Sequence, residues 1–330
     1  MQHRVLIIGT GSIGERHARC FLATRRCVVG IVETNAVLRA EIAQRYSIRS
    51  VYSSIVDATT DDWHAAVVAT PANTHVPISQ ELAGLGIHLL IEKPLSTTSD
   101  GVSQLIETVK ASKVIAGVAY VYRSHPLAQE MRRLICSRRF GKPAQLYVTT
   151  GQNFPFYRPA YRQIYYAHRA AGGGAIQDAL THLLNLGEWL VGPIARLAVD
   201  ASHQVLDGVT VEDTVHLIAR QGDAMASYTL NQYQAPNETI LTVVCTLGTL
   251  RMHLQNGQIT SMTEPGGEWR VELAARLERD DWFVAQANAF LDALEGRVPV
   301  LCTIEEAAQT LKAVLLALTC VDAQTSLRPV

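Results

Sequence analysis

Short apolar runs at residues 5–8, 28–32, 65–69, 88–91 and 114–118 punctuate the first 120 residues, each rich in Val, Ile, Leu or Ala. Between them, 14–24, 36–46, 75–85 and 99–112 carry apolar residues at helical spacing. Strands that are apolar throughout, alternating with amphipathic helices, predict an α/β domain over 1–120. Its parallel sheet would be doubly wound, with both faces covered. The pattern then changes. A helix near 127–136 leads through Phe140-Gly141-Lys142-Pro143 to a strand near 145–150, then to a long loop and a helix over 176–190 stopped by Val191-Gly192-Pro193. From 194 to 262 strands follow one another, with Asn256-Gly257 as a hairpin turn between 250–254 and 258–262. Helices over 281–295 and from Thr303, where Glu306 completes a capping box, close the chain. Residues 121–330 therefore read as an α+β domain with a large, mostly antiparallel sheet. Only three of its helices follow residue 143, too few to cover both faces of that sheet, which predicts a homodimer or homotetramer built through it.

Composition narrows the setting. The 330 residues are 48% hydrophobic and 18% charged, enough apolar material for two cores. Lys plus Arg (29) nearly equals Asp plus Glu (30), a balance that argues against a general grip on nucleic acid or an anionic membrane. No apolar run approaches the ~18 residues of a membrane span, and the first nine residues hold too short a run for a signal peptide. Six scattered cysteines without a CxxC pair suit a reducing compartment, so a cytoplasmic location is expected.

Gly9-Thr10-Gly11-Ser12-Ile13-Gly14 fits GxGxxG, a weak pattern in isolation. Here it follows a strand and opens a helix, and Glu33 stands nineteen residues after Gly14, at the end of the second strand. This is the context of a Rossmann dinucleotide site. Gly9 allows the tight turn, Gly11 lets the backbone approach the pyrophosphate, and Gly14 brings helix and sheet together, with Ser12 and Ile13 opening the helix. A carboxylate at Glu33 accepts from ribose hydroxyls and repels a 2′-phosphate, which favours NAD over NADP. It would equally serve as a cap for the next helix.

Three further motifs stand where a reaction centre is needed: Ala69-Thr70-Pro71-Ala72-Asn73-Thr74-His75, Glu92-Lys93-Pro94, and Gly172-Gly173-Gly174 leading to Asp178 and His182. With the glycine loop, they resemble the Gfo/Idh/MocA oxidoreductases over nearly the whole chain. Thr70, Pro71 and Lys93 fall at carboxyl ends of strands, where ligands of open α/β sheets bind. The resemblance implies that Thr70, Pro71, Asn73, His75, Glu92, Lys93 and Arg123 attend the cofactor. It also implies that Lys93 reaches the reacting oxygen of the substrate and that His182, supported by Asp178, exchanges its proton. Asp178 and His182 are four apart and share one helix face, and no third ligand suggests a metal. Leu180 departs from the glycine common in the family and bears on the shape of the substrate pocket. His17 reads as structural.

The loop 152–169 offers Tyr157, Arg158, Tyr161, Arg162 and Tyr165 as substrate contacts, since aromatic faces stack on sugar-like rings and arginines bind hydroxyl clusters or anions. A lid or a subunit contact explains the same composition. Arg132, Arg133, Arg138 and Arg139 read as a solvated face. The leading expectation is an NAD(H)-dependent oxidoreductase acting on a secondary hydroxyl or ketone of a sugar, inositol or related polyol. The alternatives are a glycoside-cleaving enzyme that oxidises its substrate transiently, and a non-catalytic cofactor sensor. A sensor would be expected to lose Lys93 or His182, and both are retained.

Overall fold

Six strands from the first 120 residues lie side by side in the computed structural model, which describes residues 2–323. They are β1 (His3–Ile8), β2 (Cys27–Val32), β3 (Ser50–Tyr52), β4 (Ala65–Val68), β5 (His88–Ile91) and β6 (Ala116–Val118). All pair in parallel in the order β3-β2-β1-β4-β5-β6. Val5 to Ile8 and Ala65 to Val68 are at most 2% exposed, which is why the strands read as unbroken apolar runs. The helices between them are α1 (Ser12–Ala23), α2 (Ala36–Tyr46), the single turn α3 (Ile55–Ala58), α4 (His75–Gly84) and α5 (Val102–Ala111). The winding direction reverses between β1 and β4, opening a crevice at their carboxyl ends. Ile8 pairs with both Val32 and Val68, and Val68 with Ile91. Gly9, Glu33, Ala69 and Glu92 therefore stand in a row just beyond the strand ends.

The second sheet has eight strands. Helix α6 (Pro126–Cys136) precedes β7 (Pro143–Gly151), and the one-turn α7 (Phe154–Tyr157) follows. A π-helical turn (Ile176–Leu180) runs into α8 (Thr181–Val191). Then come β8 (Ile194–Ser202), β9 (Thr214–Gln221), β10 (Ala224–Asn231), β11 (Glu238–Cys245), β12 (Gly248–His253), β13 (Gln258–Met262) and β14 (Arg270–Ala274). The order is β14-β13-β12-β11-β7-β10-β9-β8, antiparallel except where β7 meets β10. Val215, Leu217 and Ala219 point into the core while His216, Ile218 and Arg220 face out. Helices α6 and α8 pack on the inner face. Gly187 lets α8 come close, because a Cβ there would lie 2.1 Å from the Tyr228 hydroxyl.

The last two helices are α9 (Arg279–Leu294) and α10 (Ile304–Asp322). The chain divides into two units, and the first takes not only residues up to Ser124 but also Glu278–Ala308. Sequence pattern alone assigned everything after 120 to the second domain. The return is explained by what α9 carries. Ala287, Phe290 and Leu291 join the core of Val5, Phe21 and Val29, with the Phe21 and Phe290 rings edge to face. Arg16 and Arg19 pair with Asp280, and Arg26 with Asp292 and Glu295. Arginines of α6 and the turn after it are paired within their own unit: Arg133 with Glu130, Arg139 with Glu272, and Arg132 over the Trp189 ring. No helix among the described residues is long and apolar enough to cross a membrane.

One histidine ties fold to pH. His125 caps α6, its Nδ1 accepting from the Leu127 N–H at 3.1 Å, and burial pushes its imidazole down to about 4. In the unfolded chain the group titrates near about 6.5, so below that value the unfolded chain binds a proton that the folded one refuses. Stability is fully present above about pH 6.5 and falls as pH drops toward 4, by a total of about 3 kcal/mol. Urea unfolding at pH 7 and pH 5 should show the loss. His125→Asn, which still caps but does not titrate, should flatten it; an unchanged slope would refute the assignment.

Candidate active site

The first turn of α1 has no side-chain cap, so its leading N–H groups remain for a ligand. Gly9 sits at φ +83°, and a Cβ on Gly14 would fall 1.9 Å from the Gly9 carbonyl oxygen. Around Gly11 the space is open: a Cβ there meets nothing within 4 Å. Ser12 is exposed and Ile13 half-buried at the start of the helix. Glu33 completes the loop. Its Oε2 accepts from the Thr10 N–H (2.9 Å) and hydroxyl (3.1 Å), and its Oε1 from the Asn35 N–H (2.9 Å). Burial alone would raise the Glu33 carboxyl, but the hydrogen bonds from Asn35 and Thr10 outweigh it and hold the pKa below the usual range. The group is anionic at neutral pH. It does not cap α2, a task done by the Asn35 side chain for Val37 and Leu38. Arg39 donates to the Glu33 carbonyl at 2.5 Å. An open approach at Gly11, uncapped amides and an anionic acceptor at Glu33 fit a dinucleotide with free ribose hydroxyls.

Along the same edge, Thr70 and Pro71 turn into α4, where the Thr74 hydroxyl donates to Thr70 Oγ1 at 2.7 Å. Pro71 and Asn73 are exposed. His75 is 1% exposed, with Nδ1 2.9 Å from the Pro94 carbonyl oxygen and Nε2 2.8 Å from that of Thr70. Glu92 is also buried. Its Oε1 lies 2.6 Å from His17 Nε2, and its Oε2 accepts from the Lys93 N–H at 3.0 Å. Lys93 itself is half-buried, and the Lys93–Pro94 peptide is cis. Arg123, 1% exposed, donates to the Leu301 carbonyl (2.9 Å) and pairs with Glu306 (2.8 Å), fastening the 301–306 segment to its own unit.

In the second unit the glycine run is forced by close approach. A Cβ on Gly173 would stand 2.2 Å from the Tyr166 carbonyl oxygen, and one on Gly174 (φ +89°) 2.5 Å from Glu212 Oε1. Glu212 is buried, accepting from the Ile176 N–H (3.1 Å) and from Arg169 (3.2 Å). The segment that follows is π-helical rather than α-helical, and such turns recur at functional sites. It carries Asp178, 3% exposed, which accepts from the Tyr165 hydroxyl at 2.6 Å and from Arg158 at 3.1 Å. Burial and the Asp178 charge push the Tyr165 phenol far above its ordinary value, so it remains a donor. His182, half-buried, follows on the first turn of α8.

The loop residues divide. Arg158 and Tyr165 meet at Asp178. Tyr161 is 1% exposed inside a core of Phe154, Tyr166, Leu206 and Val211, its hydroxyl donating to the Asp207 carbonyl at 2.6 Å. Arg162 joins it at Asp207. Tyr157 and Phe156 are exposed. Leu180 is fully buried and packs as core. Glu212 escaped the sequence reading, and His17 was read only as structural, without its buried partner Glu92. For Glu212 a signal existed in two adjacent acids set among the valines of 209–215, and both are buried. For the pairing of His17 with Glu92 no signal existed, because the two lie 75 residues apart.

Fold and strand-end geometry together describe a two-unit protein with a Rossmann dinucleotide fold. Residues 3–120 match the profile of the oxidoreductase family with an NAD-binding Rossmann fold, and residues 128–251 match the GFO/IDH/MocA C-terminal domain. The chain belongs to the Gfo/Idh/MocA family. UDP-N-acetylglucosamine 3-dehydrogenase of Acidithiobacillus ferrooxidans is 25% identical over 337 residues, covering 97% of each chain. Levoglucosan dehydrogenase of Pseudarthrobacter phenanthrenivorans is 27% identical over 206 residues, 58% of this chain and 52% of that one. The solved structure of levoglucosan dehydrogenase in complex with NADH and levoglucosan superposes with a TM-score of 0.88 at 19% identity, covering 98% of each chain.

Proposed function

We propose that this chain is an NAD(H)-dependent dehydrogenase or reductase of a secondary hydroxyl or ketone on a sugar, inositol or related polyol. The observation that carries the proposal is Lys93 at the carboxyl end of β5, on the same sheet edge as the open glycine loop and anionic Glu33. The relatives named for UDP-N-acetylglucosamine and levoglucosan support a sugar-ring substrate.

Bound NAD supplies the hydride acceptor. Glu33 accepts from the adenosine ribose and disfavours a 2′-phosphate. Lys93 donates a hydrogen bond to the substrate oxygen and stabilises negative charge growing there. His182 takes the hydroxyl proton on its imidazole. Asp178, oriented by Tyr165 and Arg158, holds a substrate hydroxyl. Among the loop residues named for substrate, Tyr157, Arg158 and Tyr165 serve this role. Tyr161 and Arg162 serve by fastening the loop to Asp207. Thiols that all remain free suit the cytoplasm.

Incubation with NAD and a panel of polyols, aldoses, sugar acids and UDP-linked sugars, followed at the NADH absorbance band, tests the reading. At least one member should yield NADH. Calorimetry should show NAD binding tighter than NADP, with Glu33→Ala narrowing the gap; equal binding by the unaltered protein would overturn the cofactor assignment.

Assembly follows from the outer face of the eight-stranded sheet. Ile218 (63%) and Met225 (55%) are exposed there, beside half-buried Tyr147, Ile240 and Val244. We propose that a second copy covers this face in an isologous dimer, or in a tetramer with one further interface. Light scattering after size exclusion should find at least twice 36.1 kDa at micromolar concentration. A stable monomer would contradict it.

A further inference from the structure

We infer that Glu92 and His75 are positioning residues for Lys93, a buried clamp that fixes its backbone from both sides, and not ligands of the cofactor. The inference rests on the assignment of Lys93 to the substrate oxygen.

The geometry is specific. Both carboxylate oxygens of Glu92 are engaged inside the protein, one with His17 of α1 and the other with the Lys93 N–H. Glu92 is 4% exposed and His17 1%. Both ring nitrogens of His75 lie against backbone carbonyls, one from the residue after Lys93 and one from the turn that follows β4. Burial disfavours the charged ring, so His75 carries one proton and donates it to one of the two carbonyls, while its other nitrogen packs against the second; the buried ring is wedged between the Thr70 turn and the Lys93–Pro94 segment. The result is a chain of contacts through the buried layer: His17, Glu92, the Lys93 N–H, the Pro94 carbonyl, His75, the Thr70 carbonyl. It runs from the helix that opens at the glycine loop to the turn that starts α4, with Lys93 in the middle.

Glu92 and His75 are buried, with both Glu92 oxygens engaged and both His75 nitrogens closed off by backbone carbonyls, which leaves little room for a nicotinamide or a ribose to reach them. What the clamp supplies is orientation. The Lys93 side chain can reach one point reproducibly only if its Cα is held, and misplacement by about 1 Å can cost on the order of 10²-fold in rate.

A double-mutant cycle on the full-length protein tests this, with the best substrate of the panel for turnover and NADH titration for cofactor affinity. His75→Ala and Glu92→Ala should each lower kcat by about 10-fold or more while the NADH Kd moves less than about 3-fold. Glu92→Gln, which keeps an acceptor for the Lys93 N–H and turns an amide N–H toward His17 Nε2, accepting in its other tautomer, should retain most of the rate. In a Lys93→Ala background the same substitutions should cost little more, because their effect passes through the missing amine. Where an alanine variant does not fold, His75→Leu and Glu92→Leu, which fill the space without the polar atoms, carry the cycle. Losses that multiply independently of Lys93, or that fall on NADH affinity, overturn the clamp. Full activity of Lys93→Ala alone would instead overturn the proposed role of Lys93.

Discussion

Lys93→Ala is expected to lower turnover by about 10² or more while leaving NAD affinity nearly unchanged, and His182→Ala to do the same. The two losses have different causes. Without the Lys93 ammonium, charge developing on the substrate oxygen loses its nearest cationic donor, and the half-buried setting makes that donor worth more than it would be in water. Without the His182 imidazole, the hydroxyl proton loses the base proposed to take it, so the deficit should shrink as solvent hydroxide rises with pH. Neither residue belongs to the glycine loop, which is why calorimetric NAD binding should survive both changes. Near-normal steady-state turnover in either variant would remove that residue from the chemistry.

Gly14→Ala and Gly11→Ala should part company sharply. At Gly14 the added methyl would lie 1.9 Å from the Gly9 carbonyl oxygen, a backbone atom that cannot rotate away. Helix α1 or the loop must shift, at a cost of about 3 kcal/mol or more, and NAD binding should vanish with the loop geometry. At Gly11 the methyl enters open space, so the melting temperature should hardly change. That space is where the backbone would approach the pyrophosphate, and NAD affinity should fall by at least about tenfold. Thermal melts and calorimetry on both variants distinguish a steric role from a ligand-facing one. A Gly11→Ala protein that binds NAD as tightly as the unaltered one would show that the dinucleotide does not lie against this loop.

Much of the first sheet was legible because its central strands are buried on both faces and so appear as plain apolar runs. Strand β3 was not, being three half-buried residues at the sheet edge with no such run. The hairpin at Asn256-Gly257 was readable from its turn residues, and Gly257 does take a positive φ of +66°. The return of α9 to the first unit was hidden, since an amphipathic helix announces a buried face but not the core that receives it. The same blindness held at the site. Asp178 and His182 stood out by motif, but the π-turn that carries Asp178 has its Ile176 N–H bonded to Glu212, 36 residues on, a contact no local pattern announces. Tyr161 and Tyr165 are alike in sequence context, yet one packs into a core and the other meets Asp178; only tertiary contacts tell them apart.

Hydrogen tracing tests direct dehydrogenation most sharply. With the best substrate of the panel deuterated at the carbinol carbon, NADH formation should slow relative to the protiated compound. The deuterium should appear on the reduced nicotinamide, in equal amount to the ketone produced. Label lost to solvent, or release of an alcohol fragment from a glycoside without net NADH, would contradict a simple dehydrogenase and point to oxidation used only as a step toward bond cleavage.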